Sequence, residues 1–230
     1  MNWTLERHAS LDSTNRLAYD RAREGLPAGL VVVAGEQTAG RGRRDNRWHS
    51  PPGGLWLTLL LRPPHIEGLS LVAALGVGAA LSVEWQLHWP NDLYCGTRKL
   101  GGVLVESRLS GSGCEFALVG VGLNVNNSQF PPELVATSLA LELGHEVELE
   151  QQLRAVLSSL SSYLDRYERE GLASFLDELR GRCPMVGSRV RYLSEGCEHE
   201  ALAVDLTDDG ALRLEDGTVL RSVERIDLVS

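Results

Sequence analysis

LVVVAGEQTAGRGRRDNRWHSPPGGLWLTLLL, residues 30–61, sets two apolar runs on either side of a polar loop rich in glycine, arginine and proline. Residues 30–34 are apolar and mostly β-branched, the mark of a buried strand, and residues 55–61 form the next strand. Between them residues 37–54 hold few apolar side chains. A loop of that length within a compact domain is usually either functional or disordered.

The pattern extends outward from this pair. Residues 3–8 read as a short strand, and Asp12 or Ser13 caps a helix that runs to about Glu24 and stops at Gly25. Downstream, residues 68–84 predict a largely buried helix. Residues 86–89 and 99–108 read as strands flanking a turn near Gly96. The glycine-rich residues 110–113 signal a hairpin, with 115–124 as the return strand. Residues 137–180 turn helical, with Leu153, Val156, Leu157, Leu160 and Leu164 at helical spacing. Residues 181–184 look like a boundary. The short runs 189–193, 201–206, 211–214 and 218–220, punctuated by glycine and aspartate, then suggest a small barrel. The expected fold is α/β (α+β): a mixed β-sheet with helices over residues 1–182, followed by a small β-barrel over 183–230.

Bulk composition narrows the function. With 230 residues and 43% apolar content the chain supports one substantial core, or a core with a small appendage. No basic and apolar opening marks a secretory signal. The longest apolar region, residues 69–83, is glycine-broken and shorter than the roughly 20 residues that span a bilayer. Cys95, Cys114, Cys183 and Cys197 lack C-x-x-C spacing, which favours reduced cytoplasmic thiols over a disulfide frame or zinc site. The net charge of −9 argues against broad nucleic-acid contact. Arg41, Arg43, Arg44 and Arg47 nevertheless cluster, either as a solvated loop or as a positive island for an anionic ligand. Lys99 is the only lysine among 22 basic residues. It is either a chance survivor or a position that needs a compact, mobile ammonium.

Several short strings carry possible chemistry. In Gly40, Arg41, Gly42, Arg43 and Arg44 the glycines expose backbone N–H groups and the arginines offer forks for phosphate or carboxylate. The string is neither a Walker loop nor a dinucleotide fingerprint. Trp48 beyond it closes over a ligand or packs the loop onto the core. Trp89-Pro90-Asn91-Asp92 ends a strand in a turn, and Asp92 is a candidate for placing Mg²⁺ beside a triphosphate. Lys99-Leu100-Gly101-Gly102 opens the following strand with room for a ligand. Ser13, Thr14 and Asn15 are a helix cap or a polar binding edge. Residues 120–124, GVGLN, end a strand with two small residues and Asn124. No serine–histidine–aspartate set or paired-histidine motif recommends covalent serine chemistry or metal hydrolysis.

Taken in order, STN at 13–15, QTAGRGR at 37–43, WPND at 89–92, KLGG at 99–102 and GVGLN at 120–124 resemble biotin–protein ligase, over nearly the whole chain. The resemblance implies a catalytic domain like that of class II aminoacyl-tRNA synthetases and an SH3-like C-terminal barrel. It also implies two steps: biotin and ATP give biotinyl-5′-AMP with Mg²⁺ assistance, and a lysine of biotin carboxyl carrier protein, an acetyl-CoA carboxylase subunit, takes the biotinyl group. Carried over by motif, Ser13, Thr14, Asn15 and Gln37 bind the biotin ring, with Gly40, Arg41, Gly42, Arg43, Lys99 and Gly102 completing the biotin site. Arg41, Arg43, Arg44, Trp48, Asn91, Lys99 and Asn124 face the nucleotide. Lys99 and Arg43 act in catalysis, and Asp92 holds the metal.

The resemblance further implies a cytoplasmic monomer or homodimer that needs neither nucleic acid nor membrane. The string begins at residue 13, which leaves no room for the helix-turn-helix domain of bifunctional relatives. His88 departs from the family, where a lysine often precedes WPND, and the link between the 68–84 helix and the next strand is short. Two alternatives remain: a lipoate or octanoate ligase of the related fold, and a biotin-sensing regulator.

Overall fold

The computed structural model describes residues 2–111 and 113–229. Seven strands form one mixed sheet: β1 (Thr4–Leu11), β2 (Leu30–Gln37), β3 (Leu55–Leu61), β4 (Gln86–His88), β5 (Asp92–Cys95), β6 (Arg98–Ser110) and β7 (Gly113–Leu123). Their order is β1-β2-β3-β7-β6-β5-β4. Only β1 and β2 run parallel, joined by helix α1 (Thr14–Arg23), while the remaining neighbours are antiparallel.

Both runs that bracket the polar loop are strands, and β3 is buried along its whole length because helices cover both faces of the sheet. Leu55, Leu57, Leu59 and Leu61 join the main core under α2 (Leu69–Gly78) and α4 (Leu149–Glu170). Leu60 faces the other way, packing with Val32, Phe116, Leu118 and the Ala18 and Ala22 side of α1. The strand period of two therefore places Thr58 on the α1 face, beneath the start of that helix.

Several elements differ from expectation. The helix predicted over 68–84 stops at Gly78, where the Trp85 indole lies against the glycine and leaves no space for a Cβ. WPND does not end in an open turn, since Asp92 begins β5, a short strand that pairs with both β4 and β6. The helical stretch after residue 137 is broken into α3 (Leu139–Leu143), α4 and α5 (Leu176–Arg182). Gly144 ends α3 in the left-handed region that glycine adopts without penalty. The 110–113 hairpin joins β6 to β7, although Ser112 within its turn lies outside the described residues.

Five further strands, β8 (Arg189–Ser194), β9 (Cys197–Leu206), β10 (Leu212–Leu214), β11 (Val219–Leu220) and β12 (Arg225–Leu228), make an antiparallel sheet of order β11-β10-β9-β8-β12. This agrees with the SH3-like unit; β12 is an addition to the expected strands, its alternating RIDL being only four residues long. The apolar core runs continuously from the large sheet into this unit through Leu206, Leu212 and Val223. The Trp89 indole donates to the Gly210 carbonyl at 2.9 Å across the junction.

Candidate active site

A cavity of about 270 Å³ opens on the α1 face of the sheet, between the start of α1, the 40–50 loop, the β4–β5 hairpin and residues 223–227. Its floor is made by strand register. Gly120 pairs with Thr58 and Leu104, and Gly122 pairs with Trp56 and Gly102, so the adjacent glycines of β6 and β7 leave the floor open beside Thr58. A Cβ at Gly120 would run into the Asn15 amide, and one at Gly122 would come within 2.6 Å of the Trp48 ring. The glycines of GVGLN are thus room for those two side chains.

One end of the cavity is polar and uncharged. Ser13 occupies the cap position of α1 with extended backbone, yet its side chain makes no capping bond, so plain capping does not explain its hydroxyl. The Thr14 amide and hydroxyl both donate to Gln37 Oε1, at 2.8 and 3.0 Å. Gln37 Nε2 donates to Ser50 Oγ at 2.9 Å. Beneath them, the buried Thr58 hydroxyl lies 2.5 Å from Asn15 Oδ1 and 2.8 Å from Thr14 Oγ1. Thr14 and Thr58 bring two hydroxyl protons to three contacts, so one contact always lacks a donor. Asn15 Nδ2 donates to Glu106 Oε2 at 2.7 Å. Neither Thr58 nor Glu106 falls in a motif; a single hydroxyl inside LWLTLLL was the one available signal for Thr58.

The 40–44 loop crosses the cavity as a flap. Its hairpin is closed by Trp48 N–H to Gly40 C=O at 3.0 Å and Gly42 N–H to Asn46 C=O at 2.7 Å. Gly40 permits this closure, since a Cβ there would lie 2.5 Å from the Trp48 carbonyl and 2.6 Å from Ser50 Oγ. Arg41 pairs with Glu106 Oε1 at 3.1 Å. Arg43 reaches Asn91 Oδ1 at 3.4 Å and Ser222 Oγ at 3.2 Å, and Arg44 reaches the same Ser222 oxygen at 3.0 Å. Burial pushes the Arg43 guanidinium below its ordinary pKa and Arg44 adds to this, while Asp92 opposes it.

The other end collects charge. Lys99 Nζ lies 2.5 Å from Asp92 Oδ2 and 5.1 Å from the Trp48 ring centroid. Asn91 holds the hairpin by donating to the Val103 carbonyl at 2.7 Å. His88 stacks on Tyr94 with centroids 3.8 Å apart. Burial lowers the His88 pKa against the opposing pull of Asp92 and Asp227, and raises the Tyr94 phenol to about 12. The His88 Nε2 and Trp48 Nε1 atoms are buried at this site without a protein partner.

Most motif residues meet in this one cavity: Ser13, Thr14, Asn15, Gln37, Arg41, Gly42, Arg43, Trp48, Asn91, Asp92, Lys99 and Gly102 all line it. Gly40 shapes the flap from outside, and Arg44 turns toward Ser222. Asn124, just past the end of β7, donates to the Thr137 carbonyl at 2.9 Å and does not line the cavity. The C-terminal contribution, including Glu224, Arg225 and Asp227, was missed because no sequence motif announces it.

Comparison with known proteins bears on this geometry. Residues 8–124 match the biotin/lipoate A/B protein ligase family. The chain is 30% identical over 221 residues to biotin–[acetyl-CoA-carboxylase] ligase of Paracoccus denitrificans, covering 90% of this chain and 92% of that protein. It is 29% identical to the bifunctional ligase/repressor BirA of Bacillus subtilis (strain 168), over 96% of this chain and 72% of the relative. A solved biotin protein ligase from Aquifex aeolicus, in complex with biotin and ATP, superposes with a TM-score of 0.86 at 29% identity, covering 98% of this chain and 99% of the other.

Proposed function

The chain belongs to the biotin/lipoate A/B protein ligase family, and from that premise we propose that it is an ATP-dependent biotin–protein ligase. The observation that carries this reading is the polarity of one cavity: an uncharged hydrogen-bonding end at Thr14, Asn15 and Gln37 leads to a cationic end at Lys99 and Arg43. A cyclic urea needs neutral donors and acceptors, which hydroxyls and amides supply. The carboxylate and triphosphate that must meet for adenylation need cations.

In the first step a biotin carboxylate oxygen bonds to the α-phosphorus of ATP, and the bond to the bridging oxygen breaks, releasing pyrophosphate. Lys99 and Arg43 neutralise charge as it gathers on the phosphoryl oxygens, and their fixed placement makes that stabilisation available without reorganisation. In the second step an acceptor amine attacks the acyl carbon, an amide forms, and AMP leaves with the amine losing a proton. The flap excludes water from the mixed anhydride in between. No covalent intermediate on the protein is needed, so catalysis rests on positioning and electrostatics.

Mg²⁺ belongs to this scheme as a partner of the triphosphate. Among the described residues no group of three or more acidic, histidine or cysteine side chains could hold a metal by itself. A single carboxylate such as Asp92 suits Mg²⁺, which takes few protein ligands and keeps waters and phosphate oxygens. The proposed acceptor is a lysine of biotin carboxyl carrier protein, in the cytoplasm, with the ligase as monomer or homodimer. The proposed division is a 1–182 ligase unit and a 183–230 barrel, a reading supported by the change from α5 to antiparallel strands. No helix among the described residues is long and apolar enough to cross a membrane.

The test is to incubate the protein with ATP and labelled biotin, then with lipoate, and finally to add a carrier domain. Biotinyl-AMP followed by a labelled carrier is the expected result. Adenylate from lipoate alone would overturn the reading.

A further inference from the structure

We propose that Glu106 is a positioning residue that ties the flap to the ring pocket beneath it. The inference rests on the ligase reading above. β6 presents Glu106 on the α1 face, and its two oxygens are divided between two partners. Oε2 accepts from Asn15 Nδ2 at 2.7 Å, and Oε1 pairs with Arg41 Nη1 at 3.1 Å. Asn15 belongs to the pocket floor and Arg41 to the flap, so one carboxylate bridges the two.

The bridge is part of a longer chain of contacts. From Asn15 it continues through Thr58, Thr14 and Gln37 to Ser50, whose hydroxyl donates to the Trp48 carbonyl at 3.2 Å. The chain therefore begins and ends on the flap, holding it at Arg41 on one side and at Trp48 on the other. A ligand that engages Asn15 touches the same network that fixes Arg41.

Glu106 also explains how a half-exposed arginine is kept in place. Behind the wall made by Asn15, Arg41 and Glu106 lies a second hollow of about 310 Å³, bordered by Tyr19 and Phe116. Without an anion beside it, Arg41 would sample that space, because arginine carries large rotamer freedom. A guanidinium has five N–H donors, so pairing through Nη1 leaves others free to meet an anion in the cavity.

The experiment loads the protein with biotinyl-AMP made from biotin and ATP, then follows its release in a chase. Glu106→Gln keeps an acceptor for Asn15 but removes the charge that holds Arg41. Release should rise roughly three- to tenfold, the range of a half-exposed charged contact, with the KM for biotin within about twofold of the unsubstituted chain. Glu106→Ala should raise that KM as well. Arg41→Gln should speed release at least as much, since it also removes the donors left for an anion in the cavity, and the double variant should be no faster than Arg41→Gln alone, because Glu106 acts through Arg41. Unchanged release in Glu106→Gln, or singles whose effects multiply, would overturn the proposal. If the unsubstituted chain forms no biotinyl-AMP, the ligase reading fails and takes this inference with it. If it forms the adenylate and Glu106→Gln releases it normally, the inference alone fails.

Discussion

Under the proposed function, Lys99 is the side chain on which adenylation rests most directly. Its ammonium lies against Asp92, over the ring of Trp48, and no second lysine exists anywhere in the chain to replace it. Lys99→Ala should lower the rate of biotin-dependent pyrophosphate release by roughly 10²- to 10³-fold, as for other preorganised charge-stabilising donors. Near-normal release would remove Lys99 from the reaction. Thr58 is a different case, because it supports the site from below and touches no solvent. Thr58→Val keeps the shape and deletes the hydroxyl, leaving Asn15 Oδ1 without its buried donor. The expected cost is about 1–3 kcal/mol of stability, with a raised KM for biotin and little change in kcat. A denaturation curve and a biotin titration that both match the parent would show the hydroxyl to be idle.

The elements that carry these residues are held by contacts that can be tested separately. Helix α1 begins at the uncharged end of the cavity and is pinned at its far end, where Arg21 grips Glu6 of edge strand β1 through two bonds of 2.9 and 2.7 Å. That hydrogen-bonded pairing, helped by His8, holds the Glu6 carboxyl down at about 2 against an ordinary 4.5. A carboxyl with a depressed folded pKa stabilises the fold above its unfolded pKa, and the contribution is lost as pH falls from about 4.5 toward about 2. Glu6→Gln should therefore flatten the acid limb of the stability curve in that window and change nothing in its shape near neutrality. Chemical denaturation at a series of pH values measures it, and an unaltered acid limb would contradict the assignment. The flap is the second such element. Arg43 connects it to Asn91 below and to Ser222 of the C-terminal unit. Arg43→Gly removes both anchors and adds backbone freedom, so preformed biotinyl-AMP should escape several-fold faster. A release rate equal to the parent's would mean that Arg43 does not hold the flap.

At the scale of the whole molecule, what was legible in the sequence followed from periodicity and from motif order. β3 is named residue for residue by its apolar run, interrupted only at Thr58, and α4 by its leucine spacing. The early stop of α2 and the existence of β5 were not legible, because each depends on a distant partner: the Trp85 indole in one case, the flanking strands β4 and β6 in the other. Glu106, Thr58 and residues 223–227 escaped for the same reason, since only strand register and the docking of the C-terminal sheet bring them to the cavity. Composition, in contrast, needs no folding to interpret, and it leads to one more consequence. An acyl adenylate that escapes the flap reacts with amines, and on the side chains of this protein the only ε-amine is Lys99. The other 21 basic residues are arginine, whose guanidinium stays protonated and does not act as a nucleophile near neutral pH. The side chains thus offer the protein's own reactive product a single amine. Incubated with biotin and ATP in the absence of a carrier, the chain should stay unlabelled on its arginine-bearing surface while a lysine-rich bystander protein in the same solution acquires biotin. Intact-mass measurement followed by peptide mapping separates the cases, and two or more biotinyl groups on the chain's side chains would mean that residues other than lysine capture the anhydride.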